Sequence, residues 1–431
     1  MKMNKNPYLL FSPFLLFYVL FVLFLHSNII SGDEHRYIFY AHNLLNGFYS
    51  PPAPDIVLTS GPGYPIILMP FIALHLPKIC MALMNAVFHY LSIIFLFKTL
   101  QQFVSYKKAL IFSLFWACYY VAYQKIFLVN TEIFTMFLIS LFIFYLVKAF
   151  NKTGFKETKK YIFLSGIVLG FIVLTKVIFG LVVSLMILGS GLLLIINRNA
   201  INYRKVVIIL LIAFTTFLPY LIYTYHITDR FFYWGTGSDN LYWMSTPYAG
   251  EYGDWKGPLT LNPIDYGNYN IPGADDTLIA HHQKDYDEIY KLKGGLEQDD
   301  AFKKIAINNI KSHPFKYAQN IFFNIGRIVF HYPFSYAVQR PKPLFVMPIN
   351  GIIFTLIVIC LFPTLINWRK IIFPIRFMLF LAFLYLGGSA LLSAETRMFT
   401  IIVPILLFWI AYIAQKSMVF KLKFDEKNEE E

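Results

Sequence analysis

Along the chain, runs of about 15 to 20 apolar residues alternate with short polar, mostly basic stretches. A helix needs roughly 20 mostly apolar residues to span a bilayer. Such runs fall at 8 to 25, 79 to 97, 109 to 127, 131 to 148, 161 to 175, 177 to 196, 206 to 225, 347 to 366, 373 to 392 and 398 to 415. The pattern predicts an all-α polytopic membrane protein of about ten transmembrane helices. The run at 8 to 25 follows Lys2 and Lys5 but lacks a small-x-small cleavage site, so it reads as an uncleaved first helix.

The basic stretches orient the bundle. With the amino terminus inside, the inner loops hold Lys107 and Lys108, then Lys152 to Lys160, then Arg198, Arg204 and Lys205, then Arg369, Lys370 and Arg376. Every short inner loop is basic, as the positive-inside rule requires. Both termini are therefore expected in the cytoplasm. The expected divisions are an N-terminal transmembrane module over 1–225 with a first external loop at 26–78, a large external loop at 226–346, a C-terminal module at 347–415 and a cytoplasmic tail at 416–431. In the large loop, Ile305, Ile307, Ile310, Tyr317, Ile321 and Ile325 predict an amphipathic helical pair broken at His313-Pro314.

Composition agrees: 57% of residues are hydrophobic and only 14% charged, against about a quarter charged in soluble domains. The formal charge of +13 would point to nucleic acid in a soluble protein. Here orientation among membrane lipids accounts for it, and nucleic acid is set aside. Cys80, Cys118 and Cys360 lie in apolar stretches and give neither a disulfide framework nor a metal motif.

This topology gathers unusual charges at one external boundary. Asp33 and Glu34 follow the first helix, Glu132 opens the fourth, Lys176 sits in the turn of the 161–196 hairpin, and Glu395 and Arg397 precede the last helix. Ionisable groups near hydrocarbon persist mainly where they are paired or functional. Plain structural readings stand beside the functional one. Ser31 to Glu34 forms a capping box for a helix from Glu34 to Asn46 that Gly47 would stop; Glu132 has Lys125 within reach; Lys176 has the interface to snorkel to. The chemistry that suits the group is glycosyl transfer from a lipid-linked donor, with a carboxylate deprotonating an acceptor hydroxyl and cations holding the departing phosphate.

The stretch GDEHRYIFYAHNLLNG followed by TSGPGYPIILMPFIAL resembles the first external loop of GT-C type membrane glycosyltransferases, in the branch of protein O-mannosyltransferases and lipid A aminoarabinose transferases. NTEIFTMFLISLFIFYL, LTKVIFGLVV and SAETRMFTIIVPILL are similar to that family's helix-opening acid, hairpin lysine and late Glu-x-Arg element. The resemblance implies a GT-C like fold and an inverting transfer of one sugar from a polyprenyl-phosphate donor to a lipid, glycan or protein acceptor, on the external side of the cytoplasmic membrane. It implies Asp33 as general base and Glu34 as its supporting carboxylate. Lys176 and Arg397 would contact donor phosphate, and Glu132, Glu395 and Tyr64 would orient substrate. No metal ligand set follows from it, and a divalent metal is left open. Two departures stand out: Thr59-Ser60-Gly61-Pro62 replaces a Lys-Pro-Pro element, and Arg397-Met398 replaces Arg-Tyr. The alternatives are a transporter or lipid flippase, and a non-catalytic envelope scaffold.

Two loop features remain. The aromatic residues from Phe231 to Trp255 read as an interfacial belt or, in the sharper reading, as an acceptor surface. His281, His282 and Asp285 read as part of a solvated polar loop.

Overall fold

The computed structural model describes residues 6–151, 155–196, 201–256, 274–336 and 341–417, and among them no strand forms. Lys152, Arg198 and the acidic tail from Asp425 lie outside the described residues. Among the described residues, eight helices are long and apolar enough to cross a membrane: Lys78–Leu100, Thr131–Phe150, Phe155–Thr175, Ile178–Ile196, Ile201–Thr228, Pro341–Ile366, Phe373–Ala390 and Thr396–Ser417. They correspond to eight of the ten expected spans.

The other two runs are broken, for reasons in the residues. The run at 8 to 25 divides into Pro7–Leu10 and Ser12–Leu25. Pro13 has no N–H for the Leu9 carbonyl, and the Ser12 hydroxyl donates to that oxygen instead, at 2.9 Å. The run at 109 to 127 divides into Tyr106–Cys118 and Tyr120–Tyr123, with Tyr119 between them. Beyond it the chain unwinds, and side chains from other elements take up its backbone groups. The Asn85 amide donates to the Ile126 and Leu128 carbonyls at 3.3 and 2.8 Å, and Val129 N–H donates to Glu34 at 2.7 Å. Irregular backbone persists at membrane depth only where protein groups satisfy it in this way.

The last helix is the axis of the bundle, with every residue from Phe399 to Ile413 buried. Pro341–Ile366 is its opposite, exposing Leu344, Phe345, Ile352, Phe362 and Leu365 on a surface that hydrocarbon would cover. Over the loop end lies a smaller helical layer of Gly237–Met244, Ala274–Ile289, Gly295–Ser312 and Pro314–Phe330. The amphipathic pair breaks at His313, where the sequence places its proline. Tyr242, Trp243, Tyr286 and Phe302 give the layer a core of its own.

The first loop is the part of the fold that positions the site. Its helix runs Glu34–Leu45 and stops at Gly47, which adopts φ +85°, a conformation glycine takes without strain. The chain then folds back beneath Tyr40 and Tyr49, stacked at 4.4 Å. The Tyr40 hydroxyl accepts from Thr59 N–H at 2.9 Å and the Tyr49 hydroxyl donates to the Ser60 carbonyl at 2.7 Å. Thr59 to Gly63 thereby passes directly under Leu174-Thr175, the residues before Lys176. A Cβ on Gly61 would stand 2.1 Å from the Leu174 carbonyl oxygen, and one on Gly63 2.6 Å from the Thr175 hydroxyl. Gly61→Ala is expected to push the 174–177 turn outward, at a cost of about 1–3 kcal/mol for overpacking. A lower melting temperature of the detergent-purified protein checks this; an unchanged one contradicts the close approach.

Candidate active site

Asp33 precedes the Glu34–Leu45 helix without using its carboxylate to cap it. The side chain is left for two arginines. Arg36, one turn further on, pairs with Oδ1, and Arg397 Nη1 lies 2.6 Å from Oδ2. Arg397 comes from the first turn of the last helix, so this pair joins residues 364 positions apart. The network continues across the bundle. Glu132 Oε1, from the first turn of Thr131–Phe150, lies 2.8 Å from Lys176 Nζ and 3.7 Å from Arg397 Nη1. Glu395 Oε2 is 4.0 Å from Arg397 Nε. Asp33, Glu132, Glu395, Lys176 and Arg397, predicted from separate segments, thus meet in one network.

The electrostatics favour ionised Asp33. Burial pushes its carboxyl upward, but Arg397 and Arg36 beside it outweigh burial and hold it at about 2. Lys125, the other candidate partner of Glu132, is not paired with it; Lys176 is.

The network borders a cavity of about 230 Å³ whose lining includes Asp33, Arg36, Lys176, Arg397, Trp234 and Asp254. A smaller one, about 70 Å³, is lined by Glu132, Glu395 and Lys125 among others. Arg397 and Glu395 line both. The aromatic stretch divides. Trp234 and Trp255 face the larger cavity, whereas Tyr242 and Trp243 are buried in the core of the loop layer.

Glu34 and Tyr64 are placed differently. The Glu34 carboxylate is fully buried and does not line the larger cavity. It accepts from the backbone N–H groups of Ser31 at 2.9 Å and Val129 at 2.7 Å, and from Lys78 Nζ at 2.7 Å. The Ser31 bond is one half of the expected capping box. The Val129 bond fixes the approach to the helix that carries Glu132, so Glu34 acts here as a positioning residue. Among the described residues, Glu34→Ala would take the only carboxylate from the Lys78 ammonium and leave it the Ile29 carbonyl alone, a change worth about 3–5 kcal/mol. It is expected to lower folded yield and melting temperature, measured by size-exclusion chromatography and thermal unfolding. Tyr64 is also fully buried; its hydroxyl donates to Asn85 at 3.3 Å and its ring packs edge-on against Tyr37, which does line the cavity.

Four contributors lie outside the sequence reading. Arg36 is the i+3 partner of Asp33, a spacing readable once the helix is accepted. Arg327 is fully buried and donates to the carbonyls of Ala394 at 3.2 Å, Tyr252 at 3.2 Å and Pro333 at 3.1 Å. Asn324 donates to Leu392 at 2.5 Å and accepts from Ala394 N–H at 3.1 Å. These two side chains pin the turn that delivers Glu395 and Arg397. Asn320, Asn324 and Arg327 at i, i+4 and i+7 form a polar stripe along one face of the Pro314–Phe330 helix, which is the available signal. Asp254, the fourth, sits in a loop that no periodicity marks.

Fold and site together define a polytopic helical membrane protein with a charged cavity at one end of its bundle. Residues 61–223 match the family model described as dolichyl-phosphate-mannose-protein mannosyltransferase. That match covers the segments carrying Glu132 and Lys176. Among curated proteins none matches the sequence significantly. Among solved structures, the chain is similar to the Archaeoglobus fulgidus oligosaccharyltransferase in its apo form, at 13% identity and a TM-score of 0.51, covering 96% of this chain and 51% of that one. The same enzyme tethered to an acceptor peptide containing an NVT sequon gives 13% identity and 0.50, covering 95% and 49%. ArnT from Cupriavidus metallidurans bound to undecaprenyl phosphate gives 10% identity and 0.41, covering 95% and 77%. The chain thus spans about half the length of the oligosaccharyltransferase, and at 13% identity the likeness to that enzyme is one of fold.

Proposed function

We infer that the chain is an inverting glycosyltransferase that moves a single sugar from a polyprenyl-phosphate donor to an acceptor hydroxyl on a lipid, glycan or protein. The observation that carries this reading is the convergence of Asp33, Arg397 and Lys176 from three segments on one cavity, with Glu132 paired to Lys176 beside it. The family description, which names a lipid-phosphate sugar, supports the donor class. At about 230 Å³ the cavity falls below the roughly 300–1,000 Å³ of drug-sized ligand sites, which suits one sugar ring rather than an extended glycan. The basic inner loops support placing the site on the external face of the cytoplasmic membrane, with both termini inside.

In this reading Asp33 takes the proton of the acceptor hydroxyl as its oxygen attacks the anomeric carbon. The bond from that carbon to the phosphate oxygen breaks with inversion. The polyprenyl phosphate leaves with the bonding electrons, and Arg397 and Lys176 meet the charge that develops. A carboxylate held at about 2 is a weak base. The donor phosphate competes with Asp33 for Arg397, and once that guanidinium is drawn away the carboxylate regains basicity. Glu132 keeps Lys176 aimed at the cavity. Glu395 borders both cavities and orients the acceptor.

Proteoliposomes containing the purified protein and a radiolabelled polyprenyl-phosphate sugar test this. Formation of a glycoside with release of polyprenyl phosphate is expected when a membrane extract supplies acceptors. Movement of intact donor between leaflets without glycoside formation would instead assign the protein to lipid transport.

A further inference from the structure

We propose that Glu251, His281 and His282 bind one divalent transition-metal ion of the zinc class, in the loop layer and apart from the Asp33 network. The two histidines do not lie in a solvated loop. They sit on the Ala274–Ile289 helix, and His282 and Glu251 are buried. Adjacent helical residues diverge by about 100°, yet both rings turn toward one carboxylate. His281 Nδ1 lies 2.8 Å from Glu251 Oε1, and His282 Nε2 lies 2.9 Å from Oε2. One ligand atom from each of the three residues falls within 4.8 Å of the others.

The hydrogen bonds around His282 decide what the carboxylate faces. The Tyr242 hydroxyl is 3.0 Å from Asp285 Oδ2 and 2.7 Å from His282 Nδ1. Tyr242 donates its one proton to Asp285, which leaves its oxygen to accept from Nδ1–H of His282. On the neutral ring Nε2 then presents a lone pair to Glu251, and two acceptors at 2.9 Å require a shared cation. A ligand histidine that gives its other N–H to a carboxylate-backed group is the usual support of a metal site. Two imidazoles and one carboxylate suit zinc, with water in the fourth tetrahedral position. The surroundings hold the ligands in place. Tyr248 stacks on His281 at 3.6 Å, nearly parallel, and the hydroxyls of Thr246 and Tyr336 donate to Glu251. Asp254 and Trp255, a few residues beyond Glu251, line the larger cavity. The ion would fasten this cavity wall to the Ala274–Ile289 helix.

The test uses the full-length protein in detergent, stripped with a chelator and titrated with Zn²⁺ at pH 7.5. Bound metal is measured by mass spectrometry and stability by thermal unfolding. One zinc per chain and a raised melting temperature are expected. His281→Gln, at the more exposed ligand, is expected to weaken binding at least about tenfold. Tyr242→Phe, which keeps the ring and removes the supporting oxygen, is expected to weaken it about 10- to 100-fold. Absence of stoichiometric zinc in the wild type would overturn the proposal; a melting temperature that then falls as pH rises through histidine titration would assign the cluster to a shared proton. Binding unchanged in both variants would overturn it as well, placing the ion elsewhere.

Discussion

Asp33→Asn is expected to lower sugar transfer by about 10²–10⁴-fold, the span that a positioned general base contributes. The substitution keeps the size of the side chain and its ability to accept hydrogen bonds from Arg397 and Arg36, while removing the charge that takes the proton. Asp33 is about a third exposed at the cavity wall and is not part of a packed core, so the fold is expected to survive. The check is turnover of labelled donor beside an unchanged melting temperature. Loss of activity together with loss of fold would count against a catalytic role, because it would make the arginine pairing structural.

Replacing Arg397 with glutamine is expected to cost about 10²–10³-fold in turnover, comparable to removing one preorganised donor from a developing anion. Its effect on pH dependence is more specific. Wild-type kcat/KM reports the free enzyme, where Asp33 titrates at about 2, so no acidic limb from Asp33 is expected above about pH 4. Without Arg397 the strongest influence lowering that carboxyl is gone, and its value moves up toward the ordinary 3.8. The acidic limb of Arg397→Gln therefore moves to higher pH, never to lower. Parallel kcat/KM profiles between about pH 3 and 7 would show it, and superimposable shapes would mean that Arg397 does not govern Asp33.

How far the chain could be read in advance follows from which forces act locally. Eight spans are stated outright by continuous apolar runs, because burying a helix in hydrocarbon depends on that run alone. The broken runs at 8 to 25 and 109 to 127 hid their interruptions in single residues. Pro13 is visible, but the role of Asn85 in satisfying the Ile126 and Leu128 carbonyls depends on a neighbour about 40 positions away. The charged site was legible because ionisable residues at one boundary of a membrane protein are few. Topology gave their common depth; only the folded chain pairs Asp33 with Arg397 and Glu132 with Lys176. Glu34 shows the opposite case. Adjacent to Asp33 in sequence, it turns away on the helix and spends its carboxylate on Ser31, Val129 and Lys78. The Glu251 cluster was illegible for a similar reason, since 30 residues separate its ligands and no spacing motif links them.

The central claim is that Arg397 is exchanged between Asp33 and the donor phosphate, leaving Asp33 free to act as base. Binding of polyprenyl phosphate to Asp33→Asn, measured beside its transfer activity, tests this most directly. The account predicts binding at least as tight as wild type, because Arg397 and Arg36 lose an anionic competitor, with transfer reduced by orders of magnitude. Binding weakened in proportion to the loss of transfer would contradict it, and so would transfer that persists at the wild-type rate.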